Sequence, residues 1–158
     1  MKTKAVLAAL ILAAATSSHA AAWRMGGIEV SQAWSRPAAA GMTGVAYFTV
    51  RNTGPKPVSL TAVESPIAAA ASIHQTTMTG GVSRMAPSGP VLVAPGQTAQ
   101  FKPAGRHVML EKLKSPLKTG DRVPAVLVFS NGARVEIELT VSPTPPGDAA
   151  MAGMEHKH

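Results

Sequence analysis

Apolar and polar residues alternate along most of the chain in short runs that stop at turn residues. Ile28 to Trp34 (IEVSQAW) is the first such run, broken by Arg36-Pro37. Val45 to Val50 (VAYFTV) closes at Asn52-Thr53-Gly54-Pro55, and Val58 to Val63 (VSLTAV) at Ser65-Pro66. Ala70 to Met78 and Val82 to Met85 flank Thr79-Gly80-Gly81. Val91 to Val93 stops at Ala94-Pro95-Gly96, and Gln97 to Phe101 at Lys102-Pro103-Ala104-Gly105, with Arg106 to Leu110 next. The clearest pair comes last: Val123 to Phe129 and Ala133 to Val141 flank Ser130-Asn131-Gly132, a strong hairpin signal. Val135, Ile137, Leu139 and Val141 take one face there, with Glu136, Glu138 and Thr140 opposite. No long stretch keeps a helical period, and the best helix candidate, Pro66 to Ala71, is one turn at most. The pattern predicts an all-β chain, a β-sandwich or barrel.

The two ends fall outside this pattern. Lys2 and Lys4 precede an apolar run from Ala5 to Ala15, and Ser18-His19-Ala20 supplies small residues before a cut. Residues 1–20 therefore read as a signal peptide. The run is too short to anchor in a bilayer, which takes roughly 20 apolar residues. No second candidate span follows, so a soluble exported protein is expected. From Pro143 (PTPPGDAAMAGMEHKH) the composition shifts to Pro, Gly and Ala. This predicts a β domain over 21–142 and a flexible tail over 143–158.

Composition narrows the function classes. With the signal removed, the 15 basic residues fall to 13 against 8 acidic ones, a net charge near +5. The basic residues are scattered, which argues against a nucleic-acid partner. The chain has no cysteine. That excludes a CxxC redox motif, a thiolate zinc site and a blue-copper electron-transfer site. A mature chain of ~135 residues is long enough to rely on its core instead. The six aromatics, Trp23, Trp34, Tyr47, Phe48, Phe101 and Phe129, read mostly as core and not as a sugar-binding platform.

The remaining chemistry lies in histidine and methionine. Of five histidines, His19 falls in the signal, His74 and His107 in the β domain, and His156 and His158 in the tail. His107 and Met109 stand two apart in Arg106-His107-Val108-Met109-Leu110, so on a strand both project from one face. A two-residue turn at Thr79-Gly80 sets His74 opposite Met85 in a hairpin, also on one face. Bringing the two segments together makes a set of two imidazoles and two thioethers. Thioether sulfur is soft and neutral, so such a set selects Cu(I) over zinc, magnesium or calcium. Thioethers form no disulfides and suit an oxidising compartment. Taken singly, each of the four is an ordinary residue of a packed sheet, and Met25, Met42 and Met78 are left to packing. On the residues alone, a metal site and an ordinary sheet both stand.

The spacing from His74 through ten residues to Met85, twenty-one to His107 and one to Met109 resembles the signature of the periplasmic PCu(A)C copper chaperones. The surrounding AWSRP, GVAYFTVRNTG, PAGRHVMLEKLKSPLKTGD and VPAVLVFSNG are similar to that family as well, over about Ile28 to Val141. The family often has Met after its first histidine, where this chain has Gln75. Neighbouring strand residues face opposite sides, so no ligand is lost. The resemblance implies a cupredoxin-like β-sandwich that binds one Cu(I) through His74, Met85, His107 and Met109. It also implies periplasmic delivery of copper to the CuA centre of cytochrome c oxidase subunit II, beside a thiol-dependent assembly partner. A copper buffer or resistance protein without a dedicated client would use the same site. No enzyme is expected, since no Ser-His-Asp arrangement stands out, and a monomer is expected.

The tail carries a second set, Met151, Met154, His156 and His158. Its imidazoles with backbone amides suit Cu(II), and its thioethers suit Cu(I). Tailed members of the family are similar, which implies copper capture or Cu(II) binding there.

Overall fold

The computed structural model describes residues 21–146, and these contain no helix. The strands are β1 (Ala22–Met25), β2 (Ile28–Ser35), β3 (Gly44–Asn52), β4 (Val58–Glu64), β5 (Ala68–Thr79) and β6 (Val82–Pro87). They continue with β7 (Val91–Val93), β8 (Thr98–Phe101), β9 (Arg106–Leu113), β10 (Arg122–Phe129) and β11 (Arg134–Val141). They join in the order β6-β5-β9-β8-β3-β2-β11-β10-β4-β7, with β1 beside β2 and a further pairing of β9 with β3. The β11–β2 and β8–β9 pairs are parallel. The sheet curls until β4 meets β5 and β7 meets β3 and β8, so its two ends close around one core.

Period-2 alternation builds that core. Val135, Ile137, Leu139 and Val141 of β11 are all buried, as are Val123, Ala125, Leu127 and Phe129 of β10. Phe48 and Phe101 are register partners across β3 and β8, with ring centroids 4.4 Å apart. Each such side chain contributes about 1.5–3 kcal/mol when removed from water. Of the aromatics, Trp34, Tyr47, Phe48, Phe101 and Phe129 are buried, and Trp23 packs partly buried against the core from β1.

The helical turn expected at Pro66 to Ala71 does not form. Strand β5 starts at Ala68, and Ala68, Ala70 and Ala71 pair with Leu113, Glu111 and Leu110 of β9. Alanine favours a helix weakly, and a ladder of partners outweighs that preference. Strand β1 has no counterpart among the expected elements; Gly26-Gly27, both at positive φ, turn it back onto β2. Among the described residues no helix is long and apolar enough to cross a membrane. The expected signal over 1–20 and the tail residues Met151, Met154, His156 and His158 lie outside the described residues.

Strands β5 and β6 form an arm at one edge of the sheet. The outer strand β6 is exposed along its whole length, whereas β9, on the other side of β5, reaches into the core at Val108, Leu110 and Leu113. The arm and β9 position the site.

Candidate metal centre

His74 and His107 are register partners across the antiparallel β5–β9 pair. Their rings lie 6.0 Å apart between centroids at an interplanar angle of 27°. Met109 follows on the same face of β9, opposite Ser72. Three of the four expected residues thus share one patch across two adjacent strands.

The fourth, Met85, comes from the arm in a register that differs from the expected one. The turn is Gly80-Gly81, with Thr79 paired to Val82. Both glycines adopt the left-handed conformation, at φ 58° and 78°, that a tight two-residue hairpin turn demands. His74 therefore faces Pro87, and Met85 faces Thr76. A shift of one residue would have turned Met85 to the other face, but a shift of two keeps it on the face of His74. Met85 is the diagonal neighbour of His74, a position ~7–8 Å away and within reach of a long side chain. It is 55% exposed and Met78, farther out on the arm, 67%.

The two imidazoles differ in setting. His107 is 4% exposed. Its Nδ1 lies 3.0 Å from the Gly105 carbonyl oxygen, which only accepts, so Nδ1 carries the proton. Its Nε2 keeps a lone pair, is buried, and has no hydrogen-bond partner. A buried unpaired nitrogen is costly unless something else occupies it. His74 is half-buried, and its Nε2 lies 3.0 Å from the Ser72 hydroxyl, which in turn donates to Glu111 at 2.8 Å. Gln75 points away, as adjacency on a strand requires, and its amide donates to the Thr76 carbonyl at 3.0 Å. Beside the site, the Arg106 guanidinium lies 5.8 Å from the centre of the Phe101 ring.

The donor set suits a soft monovalent ion. Among the described residues no group of three or more His, Cys, Asp or Glu side chains gathers to hold a metal. The register sets two imidazoles and the Met109 thioether on one patch with Met85 diagonal to His74, beside the Glu111 carboxylate that Ser72 engages; imidazole with thioether is the combination that accepts Cu(I) and bonds hard ions poorly. Ser72 and Glu111 escaped the sequence analysis. Period-2 spacing sets Ser72 beside His74 and Glu111 beside Met109, but only the β5–β9 register joins the two pairs.

Fold and site together define an all-β domain that carries a His/Met cluster at the edge of its sheet. A family model described as "Putative lipoprotein LpqE-like" matches residues 28–141, and the chain belongs to that family. It is 34% identical over 117 residues to "Putative lipoprotein Lxx21020" of Leifsonia xyli, across 73% of this chain and 69% of that one. Among solved structures it resembles the apo PCuAC domain from PmoF1, with a TM-score of 0.66 and 26% identity, over 78% of this chain and 100% of that one. It also resembles CuI-DR1885 from Deinococcus radiodurans, with a TM-score of 0.53 and 27% identity, over 73% and 79% of the two chains. In fold the protein is of the PCuAC type.

Proposed function

We propose that this protein is an exported copper chaperone that holds one Cu(I) through His74, Met85, His107 and Met109 and passes it to an acceptor. The observation that carries the reading is the buried, unpartnered Nε2 of His107, set opposite His74 and two residues from Met109. The Deinococcus relative, named for its Cu(I) form, supports copper as the cargo. Handing on the ion is ligand exchange. No bond to carbon forms or breaks, and copper keeps its oxidation state. Four neutral donors leave the bound ion at +1, which is cheaper to hold at a half-buried site than +2. Met85, exposed on the arm, is the donor an incoming acceptor ligand reaches first.

The compartment is the periplasm and the acceptor the CuA centre of cytochrome c oxidase subunit II. Both extend the family resemblance, and the first fits the thiol-free donor set. A transfer assay separates this from storage. A chaperone loads the isolated CuA domain faster than free chelated Cu(I) does; a buffer does not.

The test of the site is a Cu(I) competition titration against a chromophoric chelator, with the mature chain beside its His107→Ala, Met109→Ala double variant. One tight equivalent that vanishes in the folded variant supports the reading. Undiminished binding would overturn it. Ending the chain after Pro145 removes Met151, Met154, His156 and His158, and we propose that this lowers total copper stoichiometry, Cu(II) included, while the tight Cu(I) equivalent stays. Equal metal content in both forms would remove the tail as a copper site.

A further inference from the structure

Each imidazole of the pair has one nitrogen engaged by the protein, and the two are not the same nitrogen. Ser72 precedes His74 by two residues on β5 and faces Met109 across the β5–β9 ladder. Its hydroxyl lies 2.8 Å from Glu111 Oε1 and 3.0 Å from His74 Nε2. A hydroxyl has one proton to give, and an ionised carboxylate only accepts. With that proton on Glu111, Ser72 accepts from the ring, so His74 Nε2 bears hydrogen and its lone pair sits on Nδ1. His107 is the reverse: Nδ1 donates to the Gly105 carbonyl oxygen and Nε2 holds the lone pair.

We infer that Ser72 and Glu111 are positioning residues that lock His74 as the Nε2–H tautomer and dedicate its Nδ1 to the metal. This rests on the copper reading of His74. A metal-bound histidine usually donates its other N–H to an acceptor, which fixes the tautomer, orients the ring and strengthens the donor. For His107 a backbone carbonyl does this, and no side-chain change removes it. For His74 the acceptor is a hydroxyl whose own proton is drawn off by a carboxylate, so its donor strength depends on two replaceable side chains. The four-residue signature alone therefore does not define the site's affinity.

The test is a long-range proton–nitrogen correlation spectrum of the labelled apo protein, full mature chain, at about pH 8, above the ordinary imidazole range. The expected result is Nε2–H for His74 and Nδ1–H for His107. Ser72→Ala should abolish the single-tautomer pattern of His74, leave that of His107, and weaken Cu(I) binding by about 10–100-fold. Ser72→Thr, which keeps the hydroxyl, should restore both. Glu111→Gln keeps the shape and one acceptor oxygen for Ser72 but loses the charge and replaces the other oxygen by a donor NH2, and should give a smaller loss; it carries the test if Ser72→Ala fails to fold. An Nδ1–H form of His74 in the unaltered chain would overturn the inference. So would a folded Ser72→Ala protein with unchanged tautomer and affinity. A His74→Ala protein that binds Cu(I) as tightly as the unaltered chain would instead sink the copper reading, and the dedication of Nδ1 with it. The apo spectrum would still judge the tautomer lock by itself.

Discussion

His74 and His107 stand directly opposite each other on β5 and β9, one half-buried and the other 4% exposed. The equal roles toward copper proposed for the two thus go with unequal roles in the fold. His107→Ala removes a buried ring and the donor to the Gly105 carbonyl oxygen. It should cost about 1–3 kcal/mol of stability. His74→Ala truncates a side chain near the surface and should cost less than about 1 kcal/mol. Both should abolish tight Cu(I) binding. Denaturant unfolding of the two apo variants, followed by the chelator titration, checks the split. Equal destabilisation would contradict the burial difference, and retained binding in either would contradict the site.

Met85 is a cleaner probe because the fold does not depend on it. It projects from an exposed edge strand at 55% exposure. Met85→Leu keeps the volume and removes the sulfur, so stability should move by no more than about 0.5 kcal/mol. Loss of one donor should weaken Cu(I) binding by about 1–2 kcal/mol, roughly five- to thirtyfold. Met78→Leu, at the far end of the neighbouring strand β5, should change neither quantity. If the two variants behave alike in the titration, Met85 is not a ligand.

The arm itself can be tested at its turn. Gly80 and Gly81 both sit at positive φ, and no atom lies within 4 Å of where a Cβ would stand, so a β-carbon there meets backbone strain and no clash. A left-handed L-residue costs about 1–2 kcal/mol. Gly80→Val, Gly81→Val should loosen the hairpin while the core stays intact, because no residue from Gln75 to Pro87 is buried in it. Hydrogen exchange should speed up over Met78 to Met85 and stay slow in β10 and β11. Cu(I) affinity should fall because Met85 loses its place. Unchanged exchange on the arm would mean the turn tolerates the strain.

The strands were legible because most of them bury one face, and burial writes a period of two into the sequence. Val135 to Val141 is the plainest case, and the observed β11 differs from the expected run by one residue. The outer part of the arm was harder because no residue from Gln75 to Pro87 is buried. Without a buried face, only Thr79-Gly80-Gly81 set its register, and two turns of equal length fit that tripeptide. The shift by two left the face of Met85 intact, which is why the expected donors share a face despite the wrong pairing. Ser72 and Glu111 were invisible for a different reason. Their contact depends on β5 meeting β9 across 39 residues of sequence, and no turn signal encodes that pairing. The alanines of β5 misled locally, since their partners also lie on β9.

Tyr47, the chain's one tyrosine, offers a pH test of packing beside the site. It lies 4.7 Å from Trp34 between ring centroids and follows Val45, the partner of Met109, by two residues. Burial pushes its phenol above the ordinary 10.0, and the nearby Arg36 charge offsets part of that rise. The folded chain therefore holds the proton longer than the unfolded chain does. Below about pH 10 both states are protonated and the contribution to stability is complete. Above it the unfolded state ionises first, so stability falls as pH climbs through the folded value. Phenolate absorbance of the intact protein should show a midpoint above 10.0. Unfolding curves across this range should fall more steeply for the unaltered chain than for Tyr47→Phe, and the difference between them isolates this group from the lysines. A midpoint at the ordinary value would mean that water reaches the phenol, and that the sheet around Trp34 and Tyr47 is looser than its burial implies.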